Sequence, residues 1–143
     1  MKATRFAALL LAPVVAGNAY ADNAGVKVNA SLTGSSGAEV FSHICQGCHM
    51  PDAQGASGAG HYPKLAGDPA LGSWQYVAVT VLLGRHAMPA FGKPADPAFV
   101  FGEVHISDQE IADVVNYVRS HFGNRYKAEA TAAKIAALPH PDN

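Results

Sequence analysis

Two thiols separated by two residues and followed at once by an imidazole stand at Cys45-Gln46-Gly47-Cys48-His49, and the chain has no other cysteine. The C-x-x-C-H pattern is that of covalent haem attachment, in which both thiols add to porphyrin vinyl groups and the next histidine binds iron. The spacing has a physical reason. One helical turn sets Cys45 and Cys48 on nearly the same side, while His49 follows directly and can aim its ring at the metal. A redox dithiol needs no histidine there, and a zinc site needs further cysteines or closely spaced histidines. A bare disulfide is the remaining rival, because paired thiols oxidise outside the cytoplasm.

A six-coordinate iron takes a second ligand from methionine sulfur or another histidine. Three methionines are available: Met1, Met50 and Met88. Met1 belongs to an N-terminal leader, and Met50 adjoins His49 and starts on the same side of the ring. Met88 follows His49 by 39 residues, in Met88-Pro89-Ala90-Phe91-Gly92, off any apolar helical stripe. It is the preferred distal ligand. His61, His86 and His105 also lie in loops and stay open as rivals, His86 being two residues from Met88. His43, His121 and His140 are read as exposed.

These groups need a scaffold. Val40, Phe41, Ile44, Cys45 and Cys48 recur at spacings of three and four, which predicts one apolar face of a short helix over 38–49. Residues 51–60 and 61–67 are rich in Gly, Ala and Pro and are expected to be irregular. A second helix is expected over 70–83, with Gly84 supplying a left-handed end. A long loop runs from Arg85 to His105. The last helix is the best specified. Ser107 and Glu110 form a capping box ahead of a stripe made by Ile111, Val114, Val115, Val118 and Phe122, and Gly123 closes it.

The first 21 residues have a basic start (Lys2, Arg5), an apolar run from Phe6 to Ala16 and small residues at Ala19 and Ala21. This is the form of a cleaved secretory signal. A run of about 11 residues containing Pro13 is too short for a span, which takes roughly 20. Residues 22–36 form a small, polar lead-in, 37–126 one domain, and 127–143 a weakly helical, alanine-rich tail of unassigned role. Without Lys2 and Arg5 the 10 basic residues fall to 8 against 11 acidic ones, a net charge of −3. Nucleic-acid binding, which calls for a basic patch, is set aside. No transmembrane anchor is expected in the mature chain.

Over 37–123 these residues resemble the class I, single-haem cytochromes c. Gly37, Phe41 and Tyr117 are similar to the small and aromatic residues at which the first and last helices of that family cross. Pro63, in Tyr62-Pro63-Lys64-Leu65-Ala66-Gly67, resembles the proline whose carbonyl accepts the N–H of the proximal histidine, here His49, and Met88 resembles the axial methionine. Met88-Pro89-Ala90-Phe91-Gly92 and Val115-Asn116-Tyr117-Val118-Arg119 are similar to segments of small bacterial cytochromes that serve periplasmic dehydrogenases. The stretch from Lys93 to His105 is longer than the family's usual link, and its Phe99-Val100-Phe101 run is expected to pack on the core, the alternative being that it covers the haem edge or meets a partner.

The resemblance implies an all-α cytochrome c fold, short helices and loops wrapped around one haem c held by Cys45 and Cys48, with His49 and Met88 on the iron. It implies a periplasmic carrier of single electrons, not itself an enzyme. Its redox partner proteins would be a dehydrogenase donor and an oxidase or another cytochrome as acceptor. Two alternatives stay open: a tightly bound cytochrome subunit of a dehydrogenase, and a haem enzyme or gas-binding protein with an open distal site.

Overall fold

The computed structural model describes residues 34–58, 60–93 and 104–141. The expected signal, most of the lead-in and the Phe99-Val100-Phe101 run lie outside them. Within them the chain is mostly helical, and no described helix is long and apolar enough to cross a membrane.

Helix α1 (Gly37–Val40) starts on a capping box, Ser36 receiving the Glu39 N–H while the Glu39 carboxylate receives the Ser36 N–H at 2.7 Å. A π turn over Phe41–Cys45 comes next, and α2 (Gln46–His49) completes the run. The expected helix is therefore present, but its face is not continuous. A π turn carries one more residue than an α turn and rotates the residues after it. Val40 and Phe41 are buried and Cys45 is half-buried, whereas Cys48 points outward.

The segment expected to be irregular contains a small ladder, β1 (Ala56–Ser57) antiparallel to β2 (His61–Tyr62). Two residues per strand are too few to leave a period in the sequence. Helix α3 (Trp74–Leu83) begins later than expected. Asp68 and Pro69 instead start a 3₁₀ turn over Pro69–Gly72, and Ser73 then caps α3 by accepting the Tyr76 N–H at 3.2 Å. Gly84 ends it at φ +72° and ψ 171°, a positive φ but not the left-handed helical conformation.

Helix α4 (Asp108–Ser120) carries the expected Ser107/Glu110 capping box, and Ile111, Val114, Val115 and Val118 are all buried. It stops before Phe122, whose own φ is +56°. Helices α1 and α4 cross at Gly37: a Cβ there would lie 2.1 Å from the Asp113 carbonyl oxygen, so only glycine allows the approach. Phe41 packs beside the crossing, 5.8 Å from Tyr117 and 4.8 Å from Phe122 between ring centroids.

The stretch beyond Arg125 lies along α4 and forms α5 (Ala132–Ala136), with Ile135 fully buried. Asn116 accepts the N–H groups of Glu129 and Ala130 and donates to the Ala130 carbonyl at 2.9 Å. Arg119, only 1% exposed, donates to the carbonyls of Leu71, Gly72 and Lys127 and to the Glu129 carboxylate, and its guanidinium lies over the Tyr126 ring. One side chain thus joins the 3₁₀ turn, α4 and the tail.

Candidate functional site

His49 is the last residue of α2 and is buried; the chain leaves it through Met50 at φ +65°. The His49 Nδ1 lies 2.9 Å from the Pro63 carbonyl oxygen. A carbonyl only accepts, so Nδ1 carries the proton and the lone pair is left on Nε2, the atom a metal would take. That nitrogen makes no hydrogen bond among the described residues. The bond also fixes the ring's orientation.

Several contacts hold the Pro63 peptide in place. The Gly55 N–H donates to the His49 carbonyl at 3.0 Å, and the Ala53 carbonyl accepts from both Leu65 and Ala66. The Asn124 side chain, buried beyond α4, donates to the carbonyls of Leu65 and Val118, and Gly67 donates to the Phe122 carbonyl. Neither Gly55 nor Asn124 stands out in the sequence. Gly55 is one of several glycines in a glycine-rich run, and Asn124 follows a helix end where an asparagine reads as an ordinary turn residue.

Cys45 and Cys48 are both free thiols. Burial pushes the Cys45 thiol up to about 12, with the charge of Cys48 adding to the effect. A thiol so held is a poor thiolate for redox exchange or metal binding. A thioether carries no charge and loses nothing by burial, so the environment suits bonding to an apolar ring edge.

Met88 sits in a tight turn anchored to the end of α3. Arg85 and Met88 exchange both backbone hydrogen bonds, at 3.0 and 2.9 Å, around His86-Ala87, with His86 at φ +54°. Beyond the turn, Phe91 donates to the Val81 carbonyl and Gly92 to that of Leu82. Gly84 makes room, since a Cβ there would meet the Met88 carbonyl oxygen at 2.6 Å. Met88 itself is half-buried against the core.

The rival histidines are exposed. His61 faces the Ser57 hydroxyl, His105 bonds to the Lys93 carbonyl, and His86 shares the turn of Met88. His43 and His121 are exposed as expected, whereas His140 is half-buried, with Nε2 2.9 Å from the Asp108 carboxylate. Among the described residues no three His, Cys, Asp or Glu side chains are grouped to hold a metal ion by themselves. An imidazole whose Nδ1 is engaged by the Pro63 carbonyl, a thioether sulfur and two thiols make a donor set that fits a haem.

Comparison with known proteins agrees. The cytochrome c family model matches residues 35–122. The cytochrome c subunit of the quinone-dependent alcohol dehydrogenase of Gluconobacter oxydans (strain 621H) is 35% identical over 113 residues, covering 78% of this chain and 23% of the relative. The gluconate 2-dehydrogenase cytochrome c subunit of Pantoea cypripedii is 37% identical over 109 residues, 71% of this chain and 23% of the relative. The fructose dehydrogenase cytochrome subunit of Gluconobacter japonicus is 32% identical over 121 residues, 76% and 22% respectively. The chain spans less than a quarter of the length of these curated relatives. With a C-x-x-C-H helix end whose histidine is held by Pro63, a crossing at Gly37 and a family match over most of the described chain, the protein belongs to the cytochrome c family, whose members carry covalently bound haem c.

Proposed function

We propose that this protein carries single electrons on one haem c attached through Cys45 and Cys48, with His49 and Met88 as axial ligands, in the periplasm of a bacterium. The observation that carries the reading is the His49–Pro63 hydrogen bond, which holds the ring through Nδ1 and leaves Nε2 to face a metal, directly after the two thiols. When bound, the haem supplies an iron that exchanges one electron between its ferric and ferrous states. The residues do the rest. His49 and Met88 would occupy both faces, which leaves no open position for oxygen or peroxide, and the methionine sulfur favours the ferrous state relative to a second histidine. The protein needs no catalytic side chain for this and is read as a carrier, not an enzyme. Its donor would be a dehydrogenase and its acceptor an oxidase or another cytochrome, docking briefly through a small surface near the site.

The test is the absorption spectrum of the exported protein from a haem-attaching host, reduced with and without carbon monoxide. The expected result is a haem that resists solvent extraction and ignores carbon monoxide, while Met88→Ala binds it readily. Carbon monoxide binding by the unaltered protein would replace this reading with a haem enzyme or gas-binding protein. A second reading, a permanent cytochrome subunit of a dehydrogenase, is favoured by the relatives being such subunits. Stable copurification with a dehydrogenase from the native source would establish it, and isolation as a lone chain would support the free carrier.

A further inference from the structure

Between His49 and Pro63 the chain makes a closed loop that returns the Pro63 carbonyl to the histidine ring. Within it Gly55 has φ +68° and lies close against returning backbone. A Cβ on this residue would lie 2.3 Å from the Tyr62 carbonyl oxygen, 2.8 Å from the Pro63 carbonyl carbon and 2.8 Å from the Lys64 nitrogen. All three atoms are backbone, so no rotamer change relieves the overlap. Gly55 also donates its N–H to the His49 carbonyl at 3.0 Å. One residue therefore touches the main chain of His49 on one side and the peptide that holds the His49 ring on the other. Neighbouring bonds close the loop around it: the β1/β2 ladder pairs Ala56 with Tyr62 and Ser57 with His61, and the Ala53 carbonyl takes the N–H groups of Leu65 and Ala66. Gly58, nearby in the same run, has nothing within 4 Å of a Cβ position. The glycines of this run are not equivalent.

We propose that Gly55 is a positioning residue for the proximal ligand: its missing side chain sets the spacing between the Pro63 carbonyl and His49 Nδ1, and through that hydrogen bond the electron donation of Nε2 to iron. This rests on the proposed ligation of a haem by His49. The sign is set by the hydrogen bond. An acceptor close to Nδ1–H makes the imidazole a stronger donor, which favours ferric over ferrous iron. Moving the carbonyl away weakens the donor, and the reduction potential rises.

The experiment compares the holoprotein with Gly55→Ala, with Gly58→Ala and with the double variant Ser57→Gly/His61→Gly, reading the reduction potential and the NMR resonance of the His49 Nδ1 proton. Both ladder residues are exposed, so glycine there loosens the hairpin while the core stays intact. Gly55→Ala is expected to raise the ferrous-to-ferric ratio at fixed poise about tenfold, which is about 59 mV for one electron, and to move the Nδ1 proton upfield as its bond lengthens. The double variant is expected to shift both readouts the same way by less, and it decides the matter if Gly55→Ala does not fold. Gly58→Ala should leave both unchanged. An unaltered potential and Nδ1 resonance in the folded variants would overturn the positioning role. A wild-type protein with no covalent haem, or with a ligand other than His49, would instead overturn the reading on which it rests.

Discussion

Replacing Arg119 by methionine tests how the last part of the chain is held. The methionine keeps much of the side-chain length and removes every donor. Four acceptors lose their partner: the carbonyls of Leu71, Gly72 and Lys127 and the Glu129 carboxylate. They do not lose equally. Leu71 is buried, so its carbonyl is left without water and costs about 1–3 kcal/mol. Gly72, Lys127 and Glu129 are exposed and rehydrate, so each charge-assisted bond there, worth about 1.5–3 kcal/mol where no water can replace it, is lost largely in exchange for water. Contact with the Tyr126 ring adds about 0.5–1 kcal/mol. Relief from burying a guanidinium and the better packing of an apolar chain work in the other direction, as replacement of buried ion pairs by hydrophobic residues shows. The balance is a loss of about 2–4 kcal/mol, concentrated in the tail. Denaturant unfolding of the holoprotein measures the total, and hydrogen exchange locates it: amides of 128–136 should exchange much faster, those of α4 only as fast as global stability dictates. Arg119→Lys should recover little, because one ammonium cannot reach acceptors spread around a planar fork. A stability within about 0.5 kcal/mol of wild type, with the tail amides still protected, would refute the reasoning.

Two further predictions concern the crossing and the tail. Gly37→Ala forces α1 off the Asp113 carbonyl and should cost more than about 3 kcal/mol or prevent folding, as read from the denaturation midpoint or the yield of folded protein. The His140 imidazole faces the Asp108 carboxylate with Nε2 and the Leu138 carbonyl with Nδ1, so the doubly protonated ring is favoured and its pKa lies above the ordinary value, chiefly through Asp108. Its contribution to stability is then fully present below about pH 6.5 and is lost as pH rises through the higher folded value. Near the surface the effect should stay under about 1 kcal/mol. An NMR titration in which Asp108→Asn fails to lower the His140 pKa would remove the pair from the account.

The parts of the site legible in the sequence are those whose chemistry is local. Covalent attachment needs two thiols and an imidazole within one helical turn, so Cys45, Cys48 and His49 stand out together as candidates. Helix α4 is legible because its cap and stripe are both written in consecutive residues. Pro63 is not of this kind: its carbonyl reaches His49 across 14 positions, and only likeness to a family points to it. Gly55 and Asn124 escape a reading of the sequence because their work is done against backbone brought back from elsewhere. Arg119 is partly visible, since it continues the line of Ala112 and Val115 along a buried side of α4, but an arginine near a helix C-terminus is also what the helix dipole favours. The late start of α3 is written in Ser73, yet Asp68 and Pro69 mask it by offering an earlier one. The π turn at Phe41–Cys45 leaves no recognisable sign, since its residues suit an ordinary helix equally well.

The crossing at Gly37 also imposes an order of assembly. Its other half, Asp113 and Tyr117, is made near the end of the chain. A ribosome, or any pore that passes the chain from its N-terminus, must deliver nearly all of the domain before the first helix can find its partner. Until then the segment from Cys45 to His49 is held by neighbours in sequence alone, and long-range closure of this kind comes late in folding. The Cys45 thiol, which the finished fold half-buries, is therefore accessible during an interval set by chain length, and inserting residues ahead of α4 would lengthen that interval without touching a single residue of the site.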